Sequence, residues 1–427
     1  MAEQQGKKMN ILWTVNAFIP DVSKQLGLPG GHAISWVDAM SRRLNRRDDV
    51  KLAMVTSAKV DSLKSHEIDG IQYYILPKNC DRVDYWDEIL TDFVPDVIHA
   101  YGTEQSHNIL LLKNHRNFPI IGSLQGILTE YQHHYYGGLD FSTMLKYSKI
   151  QDLISPTGFF SGRNNYIKRS KIEVEQFKLL RYVEGRSTWD RVSALNINPN
   201  LKYFFCPRMI REPFFRYEWN PSTIERHSLF VSQALSPLKG LHFVLMAIAK
   251  LKTKYPDIKL YVAGYDRLHP KLLRQKLTCS GYINYLKHLI KDLDIENNVF
   301  YTGILNAEQM AAKTASVNAV IIPSSIENAP NSLAEAEITG TPIVASFVGG
   351  NMDMLKHNEE GFLYCYNEPN MLAEYISRIF DSDELATKFS NNSKKTARER
   401  HNPQLLEETL MNIYREVISL NEYNEHN

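Results

Sequence analysis

Glu327 and Glu335 stand eight residues apart in the stretch Pro323 to Gly350, which reads PSSIENAPNSLAEAEITGTPIVASFVGG. Ionised carboxylates offer acceptor oxygens to the vicinal hydroxyls of a sugar or a ribose, so two of them close together suit a polyol ligand. The flanking residues say where they sit. Pro330 has the fixed φ favoured at a helix start and Gly340 is a helix stop, so the order is strand (Asn318 to Ile322), loop, helix, turn, strand. In open α/β sheets ligands bind beyond the carboxyl ends of the strands, which places the loop Ser324 to Asn331 at a binding crevice. The amides of Asn331, Ser332 and Leu333 are expected to be unpaired donors at the helix N-terminus, suited to a phosphate or a hydroxyl.

The elements that must position these groups follow an α/β plan. Ile11 to Ile19 is an apolar run rich in β-formers, followed by a loop with Gly30-Gly31 and a helix from His32 to Leu44. Short strands are expected at Lys51 to Thr56, Ile71 to Leu76, Asp96 to Ala100 and Pro119 to Leu124, with a helix at 104–116. His99 falls inside one of these strands as a packed structural residue. The alternation breaks between Thr129 and Arg181, an aromatic and basic segment. It resumes at Ser228, with strands ending near Gly264 and Gly303 and mostly helix from Met371 to Leu420. Prolines 207, 213 and 221 mark a boundary between Tyr203 and Arg226. The predicted architecture is two Rossmann-like domains, 1–210 and 211–407.

At 427 residues the chain is long enough for two cores. Its 49 basic and 48 acidic residues leave a net charge of +1, which gives no general attraction to nucleic acid. Cys80, Cys206, Cys279 and Cys365 have neither zinc-site nor disulfide-framework spacing and read as reduced thiols, which favours the cytoplasm. No run of about 18 apolar residues suggests a membrane span.

The proline-serine turn, the first glutamate, the small-residue loop, the second glutamate beside alanine, Gly340-Thr341-Pro342 and the Val-Ala-Ser strand before a double glycine together resemble the retaining group 1 glycosyltransferases, which have the GT-B fold. Ser236-Pro237-Leu238-Lys239-Gly240 resembles a second motif of that family. The resemblance implies that Lys239 meets the donor diphosphate, where charge builds as the sugar leaves. It also implies that Glu327 contacts the transferred sugar and Glu335 the ribose, with Asn328, Ala329, Pro330, Asn331, Ser332 and Leu333 lining the donor loop. Gly30 and Gly31 would approach the phosphates, and Gln233, Gly264 and Ile304 would complete the donor pocket. By the same resemblance the last helix, 408–427, would return to the N-terminal domain.

The sequence departs from the family in two places. The arginine that normally precedes Ser-Pro is missing, with Gln233 or Ala234 in its place, and Arg186 and Arg211 are candidates to replace it. Gln125-Gly126 ends a strand where many members carry histidine or aspartate, and glutamine cannot serve as a general base, so Gln125 would orient a hydroxyl instead.

The implied activity is a metal-independent hexosyl transfer from a nucleotide-diphosphate sugar, a UDP-sugar by preference, with no cofactor beyond that co-substrate. The acceptor would be a saccharide or a lipid-linked saccharide in polysaccharide building, with membrane contact at the inner face through 129–181. A nucleotide-sugar epimerase or hydrolase of the same fold, and a non-catalytic binding subunit, are the alternatives.

Overall fold

The structure is a computed structural model describing residues 8–16, 20–27, 35–78, 80–155, 158–232, 235–268 and 280–425. It divides into two compact units. The first comprises Met1–Leu128, Arg169–Ile210 and His401–Asn427, and the second Thr129–Lys168 and Arg211–Arg400.

The first unit is built on β1 (Met9–Thr14), β2 (Val50–Ala58), β3 (Lys64–Ile68), β4 (Ile71–Pro77), β5 (Val97–Tyr101), β6 (Ile120–Ser123), β7 (Tyr182–Gly185) and β8 (Lys202–Phe205). They form one sheet in the order β3-β4-β2-β1-β5-β6-β7-β8. Only β3 runs antiparallel to its neighbour. Both faces are covered, which is why the strands read as apolar runs rather than alternating ones. Ile11 and Trp13 point to the side where Leu410, Tyr414 and Val417 of the helix Pro403–Glu425 pack, while Leu12 points to the side of Trp86, Ile89 and Phe177. The Trp13 indole and the His99 ring both meet the Tyr414 hydroxyl, at 2.9 and 2.8 Å. His99 is fully buried and stacked on Tyr101, a packed structural residue.

The second unit has six parallel strands: β9 (Glu225–Val231), β10 (Lys259–Val262), β11 (Val299–Tyr301), β12 (Val317–Ile322), β13 (Ile343–Ser346) and β14 (Phe362–Tyr364), ordered β11-β10-β9-β12-β13-β14. Its core is continuous from Leu241, Val244 and Ile248 through Leu260 and Ile321 to Ile376 and Phe389. No described helix is long and apolar enough to cross a membrane.

The sequence reading assigned all of 1–210 to the N-terminal domain, and the structure differs at Thr129–Lys168. Met144, Tyr147 and Phe159 of this inserted segment are buried in the core of the second unit. The carboxylate of Asp152 accepts from the amides of Phe159 and Gly281, at 3.0 and 2.8 Å, which ties the segment to the helix Gly281–Asp292. The basic residues of the expected membrane segment are also split, because Arg169 pairs with Glu104 at 2.8 Å within the first unit.

Candidate active site

Lys239 and Glu327 are brought together by two loops at the carboxyl ends of β9 and β12. After β9 the chain makes the 3₁₀ turn Pro237–Lys239, closed by Gly240 at φ 68°. A Cβ on Gly240 would lie 2.0 Å from the Pro323 carbonyl oxygen, so glycine is needed here for both dihedral and space. The Ser325 amide donates to the Leu238 carbonyl at 2.8 Å and locks the two loops together. Lys239 Nζ then lies 2.5 Å from Glu327 Oε1, which also accepts from Ser324 Oγ at 2.7 Å. Behind Glu327, the Gly350 amide donates to its carbonyl at 3.1 Å. A Cβ on Gly349 would come within 1.9 Å of that same carbonyl oxygen. The double glycine thus lets a third loop close on the first glutamate.

The helix Asn331–Thr339 starts and stops where the sequence places it, with Pro330 as N-cap and Gly340 at φ 76° as C-cap. Asn328 is buried, while Ala329, Pro330, Asn331 and Ser332 keep partial exposure at the loop's mouth. Leu333 is corrected. Its amide donates to the Pro330 carbonyl at 3.0 Å and its side chain is wholly buried, so it is a core residue and not a free donor.

Glu335 lies one turn into this helix, 6% exposed. Arg211 reaches it from the start of the unit, with Nη2 at 2.6 Å and Nε at 3.0 Å from Oε1, and the guanidinium lies over the Phe214 ring. Burial pushes the Glu335 carboxyl above its usual range, and the Arg211 charge works in the opposite direction. The two candidates for the missing arginine are thereby separated. Arg211 is in the unit of Lys239, whereas Arg186 is in the first unit and donates from Nη2 to the Gln125 carbonyl at 2.6 Å.

Gly264 and Gly303 pair across the ends of β10 and β11, with N···O distances of 3.0 and 3.1 Å and φ of 107° and 75°. No atom lies within 4 Å of where their Cβ atoms would be, so both leave open space at the strand ends. Ile304 follows, 67% exposed. Gly30, Gly31, Gln233 and Ala234 lie outside the described residues.

In the first unit Gln125 follows β6 above a buried polar group that the sequence reading missed. Arg208 donates to Ser123 Oγ at 2.6 Å and to Glu184 Oε2 at 3.4 Å, and Ser123 Oγ itself donates to Glu184 Oε2 at 2.7 Å. Burial opposes ionisation of Glu184, but Arg208, His99 and Ser123 together hold its carboxyl below the usual range. His99 was read from the sequence as a packed strand residue, but its grouping with Ser123, Glu184 and Arg208, which are far apart in sequence, comes only from the strand order.

Among the described residues no group of three or more potential ligands could hold a metal ion. The chain does contain two Asp-x-Asp triplets, Asp292 to Asp294 and Asp381 to Asp383. Three of these four carboxylates are engaged in ion pairs, Asp294 with Lys252 at 2.8 Å, Asp381 with Lys254 at 2.5 Å and Asp383 with Arg226 at 2.5 Å.

Comparison with known proteins falls on the same residues. Residues 219–396 match the family model of glycosyl transferases group 1. An uncharacterized glycosyltransferase of Methanocaldococcus jannaschii is 26% identical over 45% of this chain and 45% of its own length, so the chain spans less than half of that relative. The glycosyltransferase-family protein YtcC of Bacillus subtilis is 22% identical over 86% of this chain and 83% of its own length. The crystal structure of Anabaena Alr3699/HepE in complex with UDP superposes with a TM-score of 0.67 at 17% identity, covering 96% of this chain and all of that one. The matched segment carries Lys239, Glu327 and Glu335, so this part of the chain is similar to the group 1 glycosyl transferases, and the likeness to solved structures shows a shared fold of two Rossmann-like domains.

Proposed function

We propose that this chain is a retaining glycosyltransferase that moves a hexosyl group from a UDP-sugar to a saccharide acceptor in polysaccharide building. The observation that carries the reading is the placement of Lys239, Glu327, Glu335 and Arg211 on adjoining loops and helix of one unit. Glu335 would accept from the ribose hydroxyls through Oε2, since both Arg211 bonds fall on Oε1. Lys239 and Arg211 would face the diphosphate, with Arg211 taking the role of the arginine absent before Ser236. Glu327 would hold the sugar. The bond from the anomeric carbon to the phosphate oxygen breaks with its electron pair going to that oxygen. The acceptor oxygen bonds on the same face, and its proton passes to the departing phosphate. Such a step requires no side-chain base, which suits a chain with glutamine at position 125, and it requires no metal if the two cations offset the phosphate charge. The UDP complexed with HepE supports uridine as the base.

The test is to incubate the protein with UDP-sugars and saccharide acceptors, measure UDP release, and read the product's anomeric configuration by NMR. Retention with activity unaffected by a chelator supports the reading. Hydrolysis or epimerisation without acceptor would replace it with the alternative enzyme class.

Membrane contact is proposed for the inserted segment. Phe141, Leu145, Ile150, Leu153 and Ile154 are 56–76% exposed within fourteen residues, beside Lys146 and Lys149. The acidic Asp152 among them is fully buried. Apolar side chains flanked by lysines suit an anionic lipid surface. Sedimentation with phosphatidylglycerol vesicles but not phosphatidylcholine vesicles, lost in Ile150→Glu/Ile154→Glu, is the expected result.

A further inference from the structure

The turn His134 to Gly138 comes from the inserted segment, outside the stretch that matches the family model, yet it is packed against the two loops that carry Lys239 and Glu327. Ser325 Oγ donates to the His134 carbonyl at 3.0 Å and to the Leu238 carbonyl at 3.2 Å, so one hydroxyl joins the turn to the lysine loop. Gly137, at φ 57°, lies so close to the lysine turn that a Cβ there would sit 2.0 Å from the Pro237 carbonyl oxygen. On the far side the wholly buried His242 reaches the Gly137 carbonyl with Nε2 at 3.1 Å and the Tyr282 hydroxyl with Nδ1 at 3.1 Å. A carbonyl only accepts, so Nε2 carries the proton and Nδ1 accepts from Tyr282, which fixes the ring and the turn together. A Cβ on Gly138, at φ 79°, would stand 3.2 and 3.3 Å from the Phe243 and Tyr366 rings, closer than ordinary contact. Tyr135 anchors the start of the turn by donating to the Gly158 carbonyl at 2.9 Å.

We propose that residues His134 to Gly138 form a positioning element of the donor site, a strut that fixes the Pro237 carbonyl and so sets where Lys239 presents its ammonium group to the donor diphosphate. This rests on the proposed function only for the identity of the ligand. The strut's effect should therefore fall on the phosphate that Lys239 meets and not on the nucleoside, which a merely structural contact would not distinguish. An alanine at 137 must push the Pro237 carbonyl away, and an alanine at 325 removes the hydroxyl that joins turn and loop.

The experiment measures calorimetric dissociation constants for UDP and UMP, and amide hydrogen exchange across residues 236–240 and 325, in the wild type, Gly137→Ala and Ser325→Ala. The expected result is UDP binding weakened at least tenfold in Gly137→Ala, UMP binding changed less than threefold, and exchange at 236–240 accelerated at least tenfold. Ser325→Ala should move in the same direction and decides the matter if the first variant does not fold. Equal losses for UDP and UMP, or unchanged UDP affinity in a folded variant, would overturn the strut. If the wild type binds no uridine nucleotide, the uridine-donor reading fails, while the exchange comparison still tells whether the turn holds the lysine loop. Unchanged exchange in both variants would overturn the proposal on its own.

Discussion

At Glu335 a carboxylate with almost no exposure depends on one guanidinium for its charge. Burial favours the protonated form and Arg211 favours the ionised one, so removing the arginine leaves burial unopposed. In Arg211→Ala, Glu335 is expected to take up a proton more readily than in the wild type and so to lose acceptor capacity for the ribose. UDP affinity in that variant should fall at least tenfold through loss of the cation, and should rise with pH more steeply than in the wild type as Glu335 ionises. Calorimetry at three pH values checks this, and a flat profile in the variant would count against the assignment. The positions of the two glutamates were legible in the sequence because loop, helix start and glycine stop place them on their elements, whereas Lys239 was read from the resemblance of Ser236-Pro237-Leu238-Lys239-Gly240 to a family motif. The Arg211–Glu335 pair was not, because its members are 124 residues apart and a long flexible side chain leaves no periodic trace.

Elements around the site depend on glycine to different degrees, and the structure ranks them. Gly240 combines a left-handed φ with a Cβ position 2.0 Å from the Pro323 oxygen, whereas Gly264 has a left-handed φ and open space. Gly240→Ala should therefore cost about 2–4 kcal/mol, through strain plus displaced backbone, while Gly264→Ala should cost only about 1–2 kcal/mol. Thermal melts of the two variants check the order, and equal losses would mean the backbone approach at Gly240 is easily relieved. At this scale the sequence showed the parallel plan and the helix Asn331–Thr339. It did not show β3, an edge strand with almost every side chain exposed and no apolar signal. It also did not show β8 or β14, which span only four and three residues. Local pattern could not assign the inserted segment Thr129–Lys168 either, since Met144, Tyr147 and Phe159 are buried in a core whose strands begin nearly a hundred residues later.

Across the whole molecule net charge is close to zero, so pH dependence of stability comes from a few buried groups. Burial lowers the His242 imidazole to about 3, against an unfolded value of about 6.5, with the Gly137 carbonyl opposing in part. The unfolded chain therefore binds the extra proton between those values and the folded one does not. This contribution is complete above about pH 6.5 and is lost as pH falls toward about 3, with a limiting slope of about 1.4 kcal/mol per pH unit. Urea titrations at pH 7 and pH 5 should show a smaller pH effect in His242→Phe than in the wild type. An identical slope would mean that His242 is protonated in the folded state. The central claim, that the unit carrying Lys239, Glu327 and Glu335 binds a nucleotide-diphosphate sugar, is tested most directly by titrating UDP, GDP and ADP into the wild type and Glu335→Gln. The account predicts saturable binding of UDP that weakens at least tenfold in the variant, a loss of about 1.4 kcal/mol or more. Binding of none of the three, or UDP affinity unchanged in Glu335→Gln, would contradict it.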